Sequence, residues 1–363
     1  MRFLKIALIM LAFFVLFFAY HLSSNAPVTE NEIFRDDEKT QATRSINQFI
    51  KDLDTDKTTY VARGAHSKAH ACVKAFFKIN DMIEPELQHG LFSLPGKNYK
   101  GWIRFSNGKG GMKGNYDSNK DAHGMAVKLF NIYEHGLDKK EDGSETQEFL
   151  MHDSPVFFVA NIEDYNQFLE SEDKILYFVK DINPFKWKLR ELMNALETLK
   201  PPPISPLKTQ YFSNTAYKLG PHNIKFSARS CSIQDNEPNY ENKGPDFLQE
   251  VMIEELAKGE GCFDFFVQVQ DPNKYMPIED PSIEWRESDS PLISLAKINI
   301  PSQKFNSPEQ REFCENLSFS PWNSLNEHQP IGELNRIRKE VYQASSNYRH
   351  KKNMAETPTN LNW

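Results

Sequence analysis

The chain opens on an unbroken apolar run from Ile6 to Tyr20, preceded by Arg2 and Lys5 and followed by the polar stretch His21-Leu-Ser-Ser-Asn25. Its fifteen residues are at the top of the range for a secretion-signal core and below the about 20 of a full span. Lys5 can snorkel and lengthen it. The nearest small-residue cluster, Ser24-Asn25-Ala26, is followed by Pro27 where cleavage would fall. Residues 1–24 therefore read as a signal peptide or a membrane anchor, with the anchor favoured. Basic residues before the run and acidic ones after it place the body outside the cytoplasm.

Residues 25–44 are polar, acidic over 27–42, and read as a linker. Beyond them the apolar period alternates between that of strands and that of helices. Strands are expected at 73–79, 101–105, 125–130, 215–219, 224–228, 263–269 and 292–300. In the segment from Phe263, Phe263, Phe265, Val267 and Val269 alternate with Asp264 and Gln268, the pattern of a half-buried strand. Helical spacing predicts helices at 45–53, 162–169, 185–199, 247–258 and 334–345. The run Pro201-Pro-Pro-Ile-Ser-Pro206 cannot lie inside a sheet. So many irregularly connected strands exclude a doubly wound parallel sheet. The expected class is α+β, an antiparallel β-barrel core with surrounding helices. One domain covers 45–347, and 348–363 is a C-terminal tail.

Composition adds exclusions. A net charge of −7 over 363 residues leaves no basic excess for a nucleic-acid partner. The four cysteines, Cys72, Cys231, Cys262 and Cys314, form no CxxC or CxxCH group, which disfavours a zinc ribbon or a covalently attached haem. In an exported chain they could form two disulfides in any of three pairings, or remain as buried thiols. The 27 phenylalanines suit either a generous core or a flat apolar cofactor.

Candidate chemistry lies in separated segments, each bland alone. Arg63-Gly-Ala-His66-Ser-Lys-Ala69 puts a histidine just before a strand, and Ile103-Arg104-Phe105-Ser106 with Asp121-Ala-His-Gly-Met-Ala-Val-Lys128 could be the polar ends of a hairpin. Arg338 and Tyr342 are four apart on a late helix, where such pairs share a face.

Together and in this order the segments resemble the haem catalases, and most closely the small catalase-related peroxidases that lack long C-terminal helices. That family reads Arg-x-x-His-Ala-Lys-Gly, Val-Arg-Phe-Ser, Asp-Pro-Arg-Gly-Phe-Ala-Val-Lys, Asn-Asn-x-Pro-x-Phe-Phe and Arg-x-x-x-Tyr. The counterpart of its fourth motif here is His152-Asp-Ser-Pro-Val-Phe-Phe158. The resemblance runs from about residue 45 to 347. It implies a catalase-like barrel and a haem b whose iron is bound by Tyr342. Arg338 would stabilise the phenolate and, with Arg63 and Arg104, face the propionates. Phe158 and Tyr165 would stand against the haem.

It also implies an oxidoreductase acting on hydrogen peroxide or an organic hydroperoxide, with an electron donor and an oligomeric state that the sequence does not name. Cleaving the O–O bond requires moving a proton from one peroxide oxygen to the other. A neutral imidazole does this in both directions, which casts His66 as acid–base, oriented by Ser106. Tyrosine ligation in catalases is the general rule for that family. The chain departs from the pattern at Ala69, at Asp121-Ala-His-Gly124, and at His152-Asp153, which replaces the distal Asn-Asn. His152 and Asp153 thus join the catalytic candidates, and peroxidase turnover is expected to exceed catalatic disproportionation. Rearrangement of fatty-acid hydroperoxides on the same fold, and haem binding without turnover, are the alternatives.

Overall fold

In the computed structural model, which describes residues 2–55, 60–135, 145–232 and 244–358, eight antiparallel strands close into a barrel. They are β1 (Ala69–Ile79), β2 (Asn98–Asn107), β3 (His123–Leu129), β4 (Gln147–His152), β5 (Tyr211–Phe212), β7 (His222–Ser230), β8 (Gly261–Val269) and β9 (Ile293–Ile300). Their order is β5-β4-β3-β2-β1-β9-β8-β7. The two-residue β5 pairs with β4 on one side and β7 on the other and closes the ring. Closure pairs the outer strands of the barrel with each other and so removes the open edges that promote aggregation. β6 (Tyr217–Leu219) forms a hairpin on β7.

Most of the sequence's strand pattern is met. On β8, Phe263, Phe265 and Val267 are fully buried. They meet Phe77, Phe105, Phe149 and Phe226 in a ring cluster, with Phe149–Phe265 at 4.9 Å and Phe77–Phe149 at 5.6 Å between centroids. Part of the phenylalanine excess therefore fills the barrel interior. The 215–219 expectation shortens to Tyr217–Leu219: Asn214 adopts φ 58° and the Thr215 amide donates back to the Ser213 carbonyl, so the chain is still turning there. β4 was not expected, since its buried Gln147 and Glu148 break the apolar alternation. Glu148 is satisfied by an ion pair with Lys128 and by the Ser320 amide, and Gln147 accepts from the Leu325 amide.

Among the described residues seven α-helices surround the barrel: α1 (Arg2–Leu22), α2 (Glu38–Thr55), α3 (Ile162–Glu170), α4 (Leu189–Thr198), α5 (Phe247–Lys258), α6 (Pro308–Asn316) and α7 (Glu333–Asn353). The helix expected at 185–199 is split into a 3-10 turn, Pro184–Lys186, capped by the Asn183 side chain, and then α4. α2 begins inside the segment read as a linker and packs, through Ala42, Ile46 and Phe49, on α3 and α7. Residues 24–33 are fastened to the body by Ser24 to Asp280, the Asn223 amide to the Glu30 carbonyl and the Ile33 amide to Glu279. α7 runs past 347 into the segment read as a tail.

The cysteines divide between the two expectations: Cys231–Cys262 is bonded between β7 and β8, and Cys72 and Cys314 are buried thiols in one apolar cluster. Among the described residues no helix is long and apolar enough to cross a membrane. The expectation of a spanning anchor finds no support in the fold.

Candidate active site

A cavity of about 290 Å³ lies between one end of the barrel and α7. Its lining on α7 includes Leu334, Arg338, Tyr342, Ser345 and Arg349. That spacing of three and four residues is one face of a helix. The opposite wall comes from the ends of β2, β3 and β4 and from the loop ahead of β1, which together contribute Arg63, His66, Arg104, Ser106 and His152.

His66 adopts φ 53°, a left-handed conformation that a non-glycine residue holds only when its surroundings impose it. Its backbone amide donates to the Gly108 carbonyl at 3.0 Å, and the following Ser67 amide donates to Lys109 at 3.2 Å. These bonds tie the loop to the end of β2. The His66 Nδ1 and Ser106 Oγ are 3.1 Å apart, leaving Nε2 for the cavity. Burial lowers the His66 pKa to about 3, helped by His152 and Arg104, so the ring is neutral at pH 7. The His152 ring stands edge-on to His66 with centroids 5.7 Å apart, and burial lowers its pKa to about 4.

The glycine of the Asp121-Ala-His-Gly124 motif lies beneath this ring. A Cβ at Gly124 would be 2.6 Å from His66 Nδ1 and 2.7 Å from Cε1. Gly124→Ala should therefore displace His66 and cost about 1–3 kcal/mol of stability through overpacking. Urea unfolding measures the cost, and an unchanged midpoint would contradict this account of the glycine.

The buried histidines also set a pH dependence. His66 and His328 are lowered to about 3, His152 to about 4, and His70 well below its usual value, all chiefly by burial. Between pH 6.5 and about 4 the unfolded chain takes up protons that the folded one refuses. Stability is then full above 6.5 and falls as the pH drops, by at most about 1.4 kcal/mol per pH unit for each histidine. Unfolding midpoints at pH 7.5, 6 and 5 should decrease in that order, and His66→Gln should flatten the slope.

On the α7 wall, Arg338 donates to the Tyr342 hydroxyl at 3.2 Å and to Asn335 Oδ1 at 2.9 Å. Burial opposes the Arg338 charge, but the facing Tyr342 and Tyr217 oxygens outweigh it and raise the pKa. Tyr165 of α3 also lines the cavity, its phenol held protonated by burial first and by the nearby Tyr342 oxygen second.

A chain folded this way has counterparts among solved structures. A fungal catalase superposes with a TM-score of 0.64 at 18% identity, over 83% of this chain and 61% of its own. Catalase A from Saccharomyces cerevisiae gives 0.64 at 17% identity over 93% and 72%, and a bacterial catalase gives 0.61 at 16% over 91% and 64%. This chain has the catalase fold. It spans about three fifths of the length of the fungal catalase. No family model matches the sequence, and no curated protein matches it.

Whether this version of the catalase fold can take a haem is decided by its donors and its charges. The Tyr342 phenol borders the cavity and is an oxygen ligand of the kind that family uses. Near the same cavity Arg63 pairs with Glu315 at 2.6 Å, Arg104 approaches the same carboxylate at 3.6 Å, and Arg349 donates to the Glu315 carbonyl at 2.7 Å. Burial favours the protonated Glu315, yet Arg63, Arg104 and Arg349 hold it below its ordinary range. Three guanidiniums against one carboxylate leave two positive charges, matching the two propionates of a haem. Arg104 Nε has no hydrogen-bond partner among the described residues, so a buried donor there remains to be used. The residues fit the cofactor.

The structure brings together at the cavity Arg63, His66, Arg104, Ser106, His152, Tyr165, Arg338 and Tyr342. Two sequence candidates lie outside its lining. Asp153 follows His152 with the opposite orientation and binds the backbone amide and ring Nδ1 of His123, each at 2.9 Å. Phe158 packs on Phe168 at 4.8 Å, and it is Phe157 that borders the cavity. Arg338 stands against Tyr342, and Arg349 completes the guanidinium group with Arg63 and Arg104. Sequence reasoning missed Arg349, although its position seven residues beyond Tyr342 puts it two turns along the same face. Glu315 carried no local signal.

Proposed function

We propose that the protein binds haem b through Tyr342 and reduces hydrogen peroxide or an organic hydroperoxide with electrons from a separate donor. The observation that carries this reading is the placement of the Arg338–Tyr342 pair and the His66–Ser106 pair on opposite walls of one cavity. Haem, when bound, supplies the redox-active iron. Tyr342 would hold the iron while Arg338 donates to the phenol oxygen, and Arg63, Arg104 and Arg349 would hold the two propionates. His66, neutral because it is buried, takes a proton from one peroxide oxygen at Nε2 and returns it to the other. Ser106 fixes the ring through Nδ1 while this happens.

At the position of the family's distal amide stands His152, whose Nδ1 has no hydrogen-bond partner among the described residues. An imidazole there is a poorer match for holding a second peroxide than a carboxamide. The protein should therefore oxidise an aromatic donor faster than it releases oxygen from hydrogen peroxide alone. His152→Asn should raise oxygen release, whereas Asp153, bound to His123, should matter little to that ratio. The test is a haem titration followed by absorption spectroscopy, then the two rates side by side on an oxygen electrode and with an aromatic donor. Oxygen evolution dominating in the unmodified protein would overturn the assignment of His152. We also place the body outside the cytoplasm, a reading supported by the Cys231–Cys262 bond, since disulfides persist in oxidising compartments.

A further inference from the structure

The segment 175–199 buries Tyr177 and Phe178 but carries several other large apolar side chains on the outside. Ile182 is 100% exposed, and Ile175, Leu176, Phe185, Met193, Leu196 and Leu199 are between 44% and 67% exposed. α4 is amphipathic and docked in the reverse of the usual sense. Its Glu191 is buried, Arg190 donates to Asp280 at 3.1 Å, and Asn194 donates to the Ser282 carbonyl at 3.0 Å. Met193 and Leu196, one turn apart, point to solvent. A surface helix ordinarily turns its apolar stripe to the core, and a contiguous exposed patch of this kind marks an interaction surface.

Two further observations bear on what would cover it. The patch is continuous with α1, whose Phe17 packs edge-on against Phe185 at 5.6 Å and Trp187 at 6.5 Å, and whose Tyr20 meets Phe185 at 6.0 Å. Met10, Leu11, Phe14, Val15 and Leu16 of α1 are themselves exposed, so two apolar surfaces adjoin. Residues 175–199 also hold three acidic and four basic side chains, a near-neutral region on a chain of net −7. Nothing in its charge opposes contact with a headgroup layer, and Lys180 and Lys186 within it have stems long enough to snorkel. Aromatic residues with polar edges, Tyr20 and Trp187, stand where the two surfaces meet, as at membrane–water interfaces.

We propose that residues 175–199 and the exposed side of α1 form one docking face for a phospholipid bilayer, on which the protein lies with α1 and α4 at the headgroup–acyl boundary. Neither helix needs to cross the membrane for this. The face is independent of the haem chemistry, so a protein without haem should bind in the same way.

The test uses the full-length chain and phosphatidylcholine vesicles, with hydrogen exchange measured by mass spectrometry and partitioning by flotation. Amides in both α1 and 175–199 should become protected when vesicles are added. Ile182→Ser, Met193→Gln, Leu196→Gln and Leu199→Gln together should lower the partition coefficient about 100-fold. The haem spectrum and thermal midpoint should be unchanged, because these side chains are already exposed. Protection in α1 alone, or equal partitioning of both proteins, would overturn the proposal. So would protection of 175–199 that appears without vesicles as the mass doubles with concentration, which would mean that a second copy covers the face. If the fourfold variant fails to fold, the exchange pattern of the unmodified protein still decides.

Discussion

Tyr342→Phe should yield a folded protein that no longer retains haem. The substitution removes one oxygen and keeps the ring that packs along α7, so the helix and the barrel have no reason to change. What is lost is the phenol facing the cavity and the acceptor for Arg338 at 3.2 Å. Loss of an outer partner of a metal ligand typically costs 10–100-fold in affinity, and loss of the ligand itself should exceed about 100-fold. A buried guanidinium is also left without its phenol oxygen, which costs more than the missing bond alone. Haem content after gel filtration, with the absorption spectrum, reads the outcome. A variant with full haem content and an unchanged spectrum would refute Tyr342 as ligand.

His66→Ala should retain haem yet react with hydrogen peroxide about 10²–10⁴-fold more slowly, the usual cost of losing a positioned acid–base group. The residue bears every mark of a group held for such a role. It adopts φ 53°, its amide is tied to Gly108, its Nδ1 is occupied by Ser106, and a glycine clears the space under its ring. Ser106→Ala should give a smaller loss, because the ring remains but is freed to rotate. Stopped-flow spectra of the haem-loaded protein measure both. A wild-type rate in His66→Ala would transfer the role to His152, the other imidazole of the cavity.

Much of the barrel was legible in the chain because strand alternation is a local property. Phe263, Phe265 and Val267 needed only their spacing to declare a buried face, and α7 declared its cavity side through Arg338 and Tyr342, four residues apart. Elements whose buried residues are polar were illegible. β4 hides Gln147 and Glu148 behind partners on β3 and the segment 320–325, and no periodicity reveals a partner distant in sequence. α4 shows the converse case: its spacing marks an amphipathic helix correctly, but which side meets the body depends on Asp280 and Ser282, nearly a hundred residues away.

The candidate site divides along the same line. The ordered motifs around His66, Ser106, His152, Arg338 and Tyr342 belong to the sequence alone, because each residue's identity and its neighbours along the chain carry the pattern. Whether a side chain faces the cavity is a matter of a single dihedral step. His152 turns in and Asp153 turns to His123, while Phe157 lines the wall and Phe158 packs behind it. The charge balance of the site is tertiary as well. Arg63, Arg104, Glu315 and Arg349 lie on four separate segments, and only the fold brings three guanidiniums and one carboxylate close enough to interact. The chemistry was written in residue types and spacing, whereas orientation and net charge depend on distances through space, which only the folded chain sets.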